Sequence, residues 1–169
     1  MAKPIQDEQF WNDRIEHAIN SRDLRLSVFH TTKEKWQQTN ADHKQILSEI
    51  IKDGDSVLDA GCGYGRLVDL LPRNISYKGI DQCERFISLA KRDYPEHSFE
   101  VGSLQSLSFS NNEFDWCVCV SIMDMVLQNC GLETWRSMQS ELLRVSKKGI
   151  VCLEYTESKT VVRIEDMKT

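Results

Sequence analysis

The stretch Ser56–Leu67, SVLDAGCGYGRL, decides the fold. Val57 and Leu58 are apolar and β-compatible and read as a buried strand. Asp59 follows, and then glycines at alternate positions, Gly61, Gly63 and Gly65, which permit backbone conformations and close approaches that a side chain would block. From Gly65 the pattern predicts a helix to Leu71. Free N–H groups near Arg66 and Leu67, together with the helix dipole, would favour a carboxylate or phosphate. A strand that delivers an acidic residue into a glycine turn implies a ligand pocket.

Two ligands suit such a turn, a dinucleotide and S-adenosylmethionine, and the glycine spacing separates them. The dinucleotide fingerprint needs G-x-G-x-x-G, whereas here the third glycine is Gly65 and Arg66 stands where that fingerprint wants a small residue. Asp59, two residues before the first glycine, would repel a pyrophosphate but receive the ammonium end of an amino-acid-like ligand.

These residues resemble the class I S-adenosylmethionine-dependent methyltransferases, whose first motif is an acidic residue followed by G-x-G-x-G. The likeness continues through YKGIDQCERFISLAK, FEVGSLQSLSF, FDWCVCVSIMDMVL and ELLRVSKKGIVCLEY, from Asp55 to Tyr155. It implies a Rossmann-like α/β fold, a doubly wound and mostly parallel sheet, with S-adenosylmethionine as cofactor. Asp59, Gly61, Cys62, Gly63 and Gly65 fall on the first motif. Asp81 directly follows the second strand, which ends at Ile80, about twenty residues beyond the turn, where a carboxylate accepts ribose hydroxyl protons; it also suits the N-cap of a helix at Glu84, and the two roles are compatible. Gln82 and Cys83 would flank the adenine. Where relatives place an acidic residue near the adenine amine, this chain has Ser103, which either accepts from that amine or caps the next turn, and Leu104, whose N–H could donate to the ring.

The resemblance puts Ser121 to Met125, after the fourth strand, beside the transferred methyl group. Ser121 is counted with the cofactor residues. Asp124, the one ionisable side chain there, either orients or deprotonates the acceptor or serves as a helix N-cap. The segment lacks the Asn/Asp-Pro-Pro-aromatic signature of many nucleobase amino-methylating enzymes, and the chain has no Pro-Cys pair like that of cytosine-carbon methylases. A small-molecule acceptor is therefore expected. The alternative is a non-catalytic S-adenosylmethionine-binding subunit that stabilises or activates a partner.

The chain has 169 residues, enough for one domain, with 40% hydrophobic residues and a formal charge of −5. That balance argues against nucleic acid as a partner. The start, MAKPIQDEQFWNDR, lacks the apolar region of a signal peptide and no run reaches membrane-spanning length, so a cytoplasmic protein is expected. Cys62, Cys83, Cys117, Cys119, Cys130 and Cys152 lack metal or redox spacing and read as mostly buried thiols; no metal site is expected.

One domain is expected in three parts: a helical leader over 1–54, a core over 55–155 and a short extension over 156–169. The leader should contain helices Gln6–Ile19, with Phe10, Ile15 and Ile19 on one face, and Thr32–Lys52. The stretch Ser21–His30 stays open between helix and loop, and His30 is either structural or close to the ligand. Helices Glu84–Asp93 and Leu132–Val145 and strands Tyr77–Ile80, Ser98–Val101, Phe114–Val120 and Gly149–Tyr155 complete the core, with room for a short helical turn between Leu104 and Glu113. Lys147 and Lys148 would end the last helix and complement its dipole. Family members usually continue after the fifth strand with a helix and two antiparallel strands; here Thr160 to Ile164 is expected to fold back antiparallel. A second copy or a partner subunit could cover that edge.

Overall fold

The computed structural model describes residues 8–24, 32–155 and 160–165. In chain order the elements are α1 (Glu8–Asn20), α2 (Lys33–Ile50), β1 (Ser56–Ala60), β2 (Ser76–Asp81), α3 (Glu84–Asp93), β3 (Ser98–Val101), β4 (Phe114–Val120), α4 (Met123–Val145), β5 (Ser146–Tyr155) and β6 (Thr160–Glu165). The sheet order is β3-β2-β1-β4-β5-β6. The first five strands are parallel, and β6 runs antiparallel to β5, with Leu153 opposite Val162. This is a Rossmann-like α/β fold. Because β2 and β3 build outward on one side of β1 and β4 and β5 on the other, a crevice opens at the carboxyl ends of β1 and β4.

Strand alternation divides the core between two faces. Leu58 and Ala60 of β1, Cys117 and Cys119 of β4 and Ile150 and Cys152 of β5 face α4, where Trp135, Met138, Leu142 and Val145 cover them. Val57, Val118, Val151 and Leu153 face the opposite way, onto Leu47 of α2, Leu67 and Ile87. Strands buried on both faces need apolar residues at nearly every position, as β1 and β4 have. Five of the six cysteines are buried, and Cys119 lies across from Cys152 with the sulfurs 3.8 Å apart.

Several elements differ from expectation, each for a local reason. The helix predicted over Gly65–Leu71 is a single 3₁₀ turn, Arg66–Asp69. Gly65 is left-handed at φ 86° and Pro72 pushes Leu71 out of helical geometry, leaving too few residues for an α-helix. That turn is too short to supply the predicted dipole. Helix α4 is two helical segments meeting at Gly131, whose φ 83° and ψ 171° are not helical; the second coincides with the predicted Leu132–Val145, and the first, from Met123, is additional. Leu132, expected in the core, is the first residue past Gly131 and is 51% exposed.

Strand β5 starts at Ser146, so Lys147 and Lys148 sit on a strand; Lys148 pairs with Asp55 and Lys147 lies 3.9 Å from Asp115. On α1, Ile15 and Ala18 are buried and Ile19 is 46% exposed. Helix α2 is capped by Thr32, whose hydroxyl accepts from the Lys35 N–H at 3.3 Å. No helix is formed between Leu104 and Glu113. His30 lies outside the described residues, and no described helix is long and apolar enough to cross a membrane.

Candidate functional site

A cavity opens at the carboxyl ends of β1, β2, β3 and β4, at the point where the strand order reverses. Its floor is Asp59. This carboxylate is 2% exposed and accepts a 2.7 Å hydrogen bond from the Tyr77 hydroxyl of the neighbouring strand. Burial pushes the Asp59 carboxyl up to about 7, although the Tyr77 bond and the nearby Arg66 charge hold it down. A carboxyl so placed is starved of water and of a full counter-charge.

The glycine turn bends back over β2. Gly61 and Cys62 donate to the Ile80 carbonyl at 2.8 and 3.0 Å, and Gly65 donates to the Cys62 carbonyl at 3.0 Å. Gly61 has φ 76°, and a Cβ there would come 2.5 Å from Cδ1 of Ile122. Asp81 ties the turn to the next helix. One of its oxygens accepts from the Gly63 N–H at 3.0 Å and the other from the Cys83 N–H at 2.9 Å. The N-cap position of α3 is Cys83, without a side-chain bond, so Asp81 braces the helix start from two residues back. Burial raises the Asp81 carboxyl, and its backbone bonds oppose the rise.

Gln82, Ser103, Leu104 and Ser121 line the same cavity with the glycine turn. The Ser103 hydroxyl already accepts from the Gln105 N–H at 3.2 Å, which caps its own turn and leaves one lone pair and its proton for a ligand. Ser121 is left-handed at φ 56°, unusual for a residue with a side chain, and its buried hydroxyl has no hydrogen-bond partner among the described residues. Of the expected residues, Gly65 sits against Tyr94 and Phe99 and Cys83 is buried at the α3 N-cap, so neither lines the cavity; the third exception is Asp124. It stands in the first turn of α4, where a negative charge complements the dipole, and does not line the cavity.

The structure adds residues that the motif did not name. Arg66 lines the cavity beside Asp59. From behind, it is held by α2: its guanidinium donates to Asn40 Oδ1 at 2.7 Å, lies 3.3 Å from His43 Nδ1 and stacks 5.2 Å from the Trp36 ring centroid. Burial, and then the Arg66 charge, push His43 down to about 4, so the imidazole is neutral at physiological pH. Trp11 of α1, packed 5.8 Å from Phe86 of α3, closes another side. Met125, Val126, Cys130 and Met138 of α4 give an apolar wall. A lone Trp in a polar leader carries no sequence signal for this role; Met125 lies in the segment expected beside the methyl group, whereas Val126, Cys130 and Met138 belong to no motif.

Residues 57–149, more than half of the chain, match the model of a family described as a methyltransferase domain. No curated protein matches significantly. Among solved structures, an S-adenosylmethionine-dependent methyltransferase from Methanosarcina mazei is 25% identical, covering 67% of this chain and 58% of its own, with TM-score 0.59. The PH0226 protein from Pyrococcus horikoshii is 21% identical over 73% of this chain and 59% of its own, with TM-score 0.63. A complex of the Haloferax volcanii Trm112 methyltransferase activator with a methyltransferase gives 18% identity, 91% and 61% coverage and TM-score 0.56. The chain thus spans about three fifths of the length of these structures, and the two more distant ones speak for the fold alone. With the glycine turn and its flanking strands inside the matched segment, the chain belongs to the methyltransferase-domain family.

Proposed function

We propose that this chain is an S-adenosylmethionine-dependent methyltransferase acting on a small molecule. The observation that carries this is the convergence of two carboxylates, Asp59 and Asp81, on one glycine turn at the reversal point of the sheet. S-adenosylmethionine is the cofactor, and three features fit it. The Asp59 carboxyl is buried and its ionisation disfavoured, Gly61 lies at φ 76° against the Ile122 side chain, and the Ser121 hydroxyl is unpartnered among the described residues. Asp59 would hold the ammonium group and Arg66 the carboxylate, with Asp81 at the ribose and Gln82, Ser103 and Leu104 at the base. Cys62, Gly63 and Ser121 frame the middle of the site, and Gly65 makes the turn behind them.

When bound, S-adenosylmethionine supplies a methyl group on a positively charged sulfur, so the chemistry needs no protein nucleophile. The chain's own residues position the reactants and exclude water. Arg66 and Asp59 fix the amino-acid end, Trp11 and Phe86 shield one side, and Met125, Val126, Cys130 and Met138 favour an acceptor with an apolar part. Asp124 has no role in this scheme. The test is transfer of labelled methyl from S-adenosylmethionine to a panel of small molecules by the isolated chain. The Haloferax neighbour is assembled with an activator; turnover only after a partner is added would replace self-sufficient activity with the subunit reading.

A further inference from the structure

The connector between β3 and β4, residues 102–113, forms one wall of the cavity through Gly102, Ser103, Leu104 and Gln105 yet contains no helix to stiffen it. Leu104, Leu107 and Phe109 anchor it in the core, and its polar support centres on one side chain. Arg144, on the last turn of α4, uses all five of its N–H groups. Nε donates to Glu141 Oε1 at 2.8 Å, Nη2 to Glu141 Oε2 at 2.8 Å and to the Leu107 carbonyl at 3.0 Å, and Nη1 to the Phe109 carbonyl at 2.8 Å and Asn111 Oδ1 at 3.0 Å. Two further bonds close the knot. The Leu107 N–H donates to Glu141 Oε2 at 2.8 Å, and the Asn112 N–H donates to the Arg144 carbonyl at 2.9 Å.

We propose that Arg144 is a positioning residue for the ligand-binding wall, fixing the Gly102–Gln105 segment against α4 by clamping the connector immediately downstream of it. The clamp ends at Leu107, two residues from Gln105 and three from Leu104. Met138, on the same helical segment as Arg144, also lines the cavity, so the bonds fix the connector relative to that side chain as well. Two carbonyls, an amide oxygen and a bidentate carboxylate on diverging lines match a planar guanidinium; an ammonium has three donors and no fork. Glu141, one turn earlier, orients the guanidinium through its paired bonds. The Arg144 fork and the Leu107 amide hold the Glu141 carboxyl down to about 2, so this arrangement persists well into the acid range.

The inference rests on the cofactor reading for the identity of the ligand, but not for the clamp. Hydrogen exchange on the ligand-free chain tests the clamp, and calorimetry with S-adenosylhomocysteine tests its consequence. In Arg144→Gln, the amides of Gln105, Ser106, Leu107 and Asn112 should exchange about tenfold faster while those of β1 and β2 stay unchanged, and affinity should fall about tenfold, with Arg144→Lys between. Ile51→Ala, which opens a hole in the distant α2 cluster, should lower stability and leave affinity intact. If Arg144→Gln does not fold, Arg144→Lys carries the same comparison. Unchanged exchange in a folded variant, or faster exchange with unchanged affinity, overturns the proposal. If the wild-type chain binds no S-adenosylhomocysteine, the cofactor reading fails and the exchange pattern alone decides the clamp.

Discussion

Asp59→Asn should make the ligand-free chain more stable while abolishing its ligand affinity, and the stability gain should grow with pH. The folded-state carboxyl sits at about 7 against an ordinary 3.8, raised mainly by burial. Between those values the folded state keeps a proton that the unfolded state has released, so stability falls as pH rises and levels off above about 7. At about 1.4 kcal/mol per unit, a displacement of about three units costs about 4 kcal/mol at pH 8, against about 2 kcal/mol at pH 5. Asparagine keeps an acceptor for the Tyr77 hydroxyl and has no charge to bury. The advantage of the variant should therefore widen by about 2–3 kcal/mol from pH 5 to pH 8, or about 5–10 °C in melting temperature for a chain of this size. Denaturation of both proteins at the two pH values measures it. A wild-type-to-variant difference that stays constant with pH, or shrinks as pH rises, refutes the reasoning.

Binding of a cationic group at Asp59 should release a proton below pH 7, so affinity for S-adenosylmethionine should weaken as pH falls, approaching tenfold per unit; calorimetry in buffers of different ionisation enthalpy counts the proton. Tyr77→Phe removes the 2.7 Å bond that holds Asp59 down, and should move the midpoint of that pH dependence upward. Gly54→Ala and Gly61→Ala both force a residue with a side chain to positive φ, at about 1 kcal/mol. Only the latter crowds Ile122, which lines the cavity, so it alone should also lose roughly tenfold in affinity. Leu142→Ala, at a fully buried position under the sheet, should cost about 2–5 kcal/mol in chemical denaturation without changing that pH dependence.

Much of the scaffold was legible because it is written in short-range chemistry. The run SVLDAGCGYG specifies strand, carboxylate and turn within ten residues, and Asp81 follows at a distance set by one crossover. Where periodicity misled, local backbone chemistry outvoted it: Gly65 and Pro72 together cut the expected helix to one 3₁₀ turn. Contacts across long separations were out of reach. Arg66 meets α2 through partners 23 and 26 residues away, and Arg144 reaches Leu107 across 37. Arg144 reads in sequence as an ordinary surface cation, and Arg66, although it closes the glycine motif, carries no sequence sign of its partners on α2. Asp124 shows the converse: it lies in the segment closest to the expected chemistry, yet the helix register turns it away from the cavity.

Calorimetric titration of S-adenosylmethionine and S-adenosylhomocysteine into the wild-type chain, with Asp81→Ala in parallel, tests the central claim most directly. Saturable binding of both at one site per chain, weakened at least tenfold by Asp81→Ala, is the predicted result. No binding by a sample whose circular dichroism and cooperative melting show it folded, or binding indifferent to Asp81, would contradict the account.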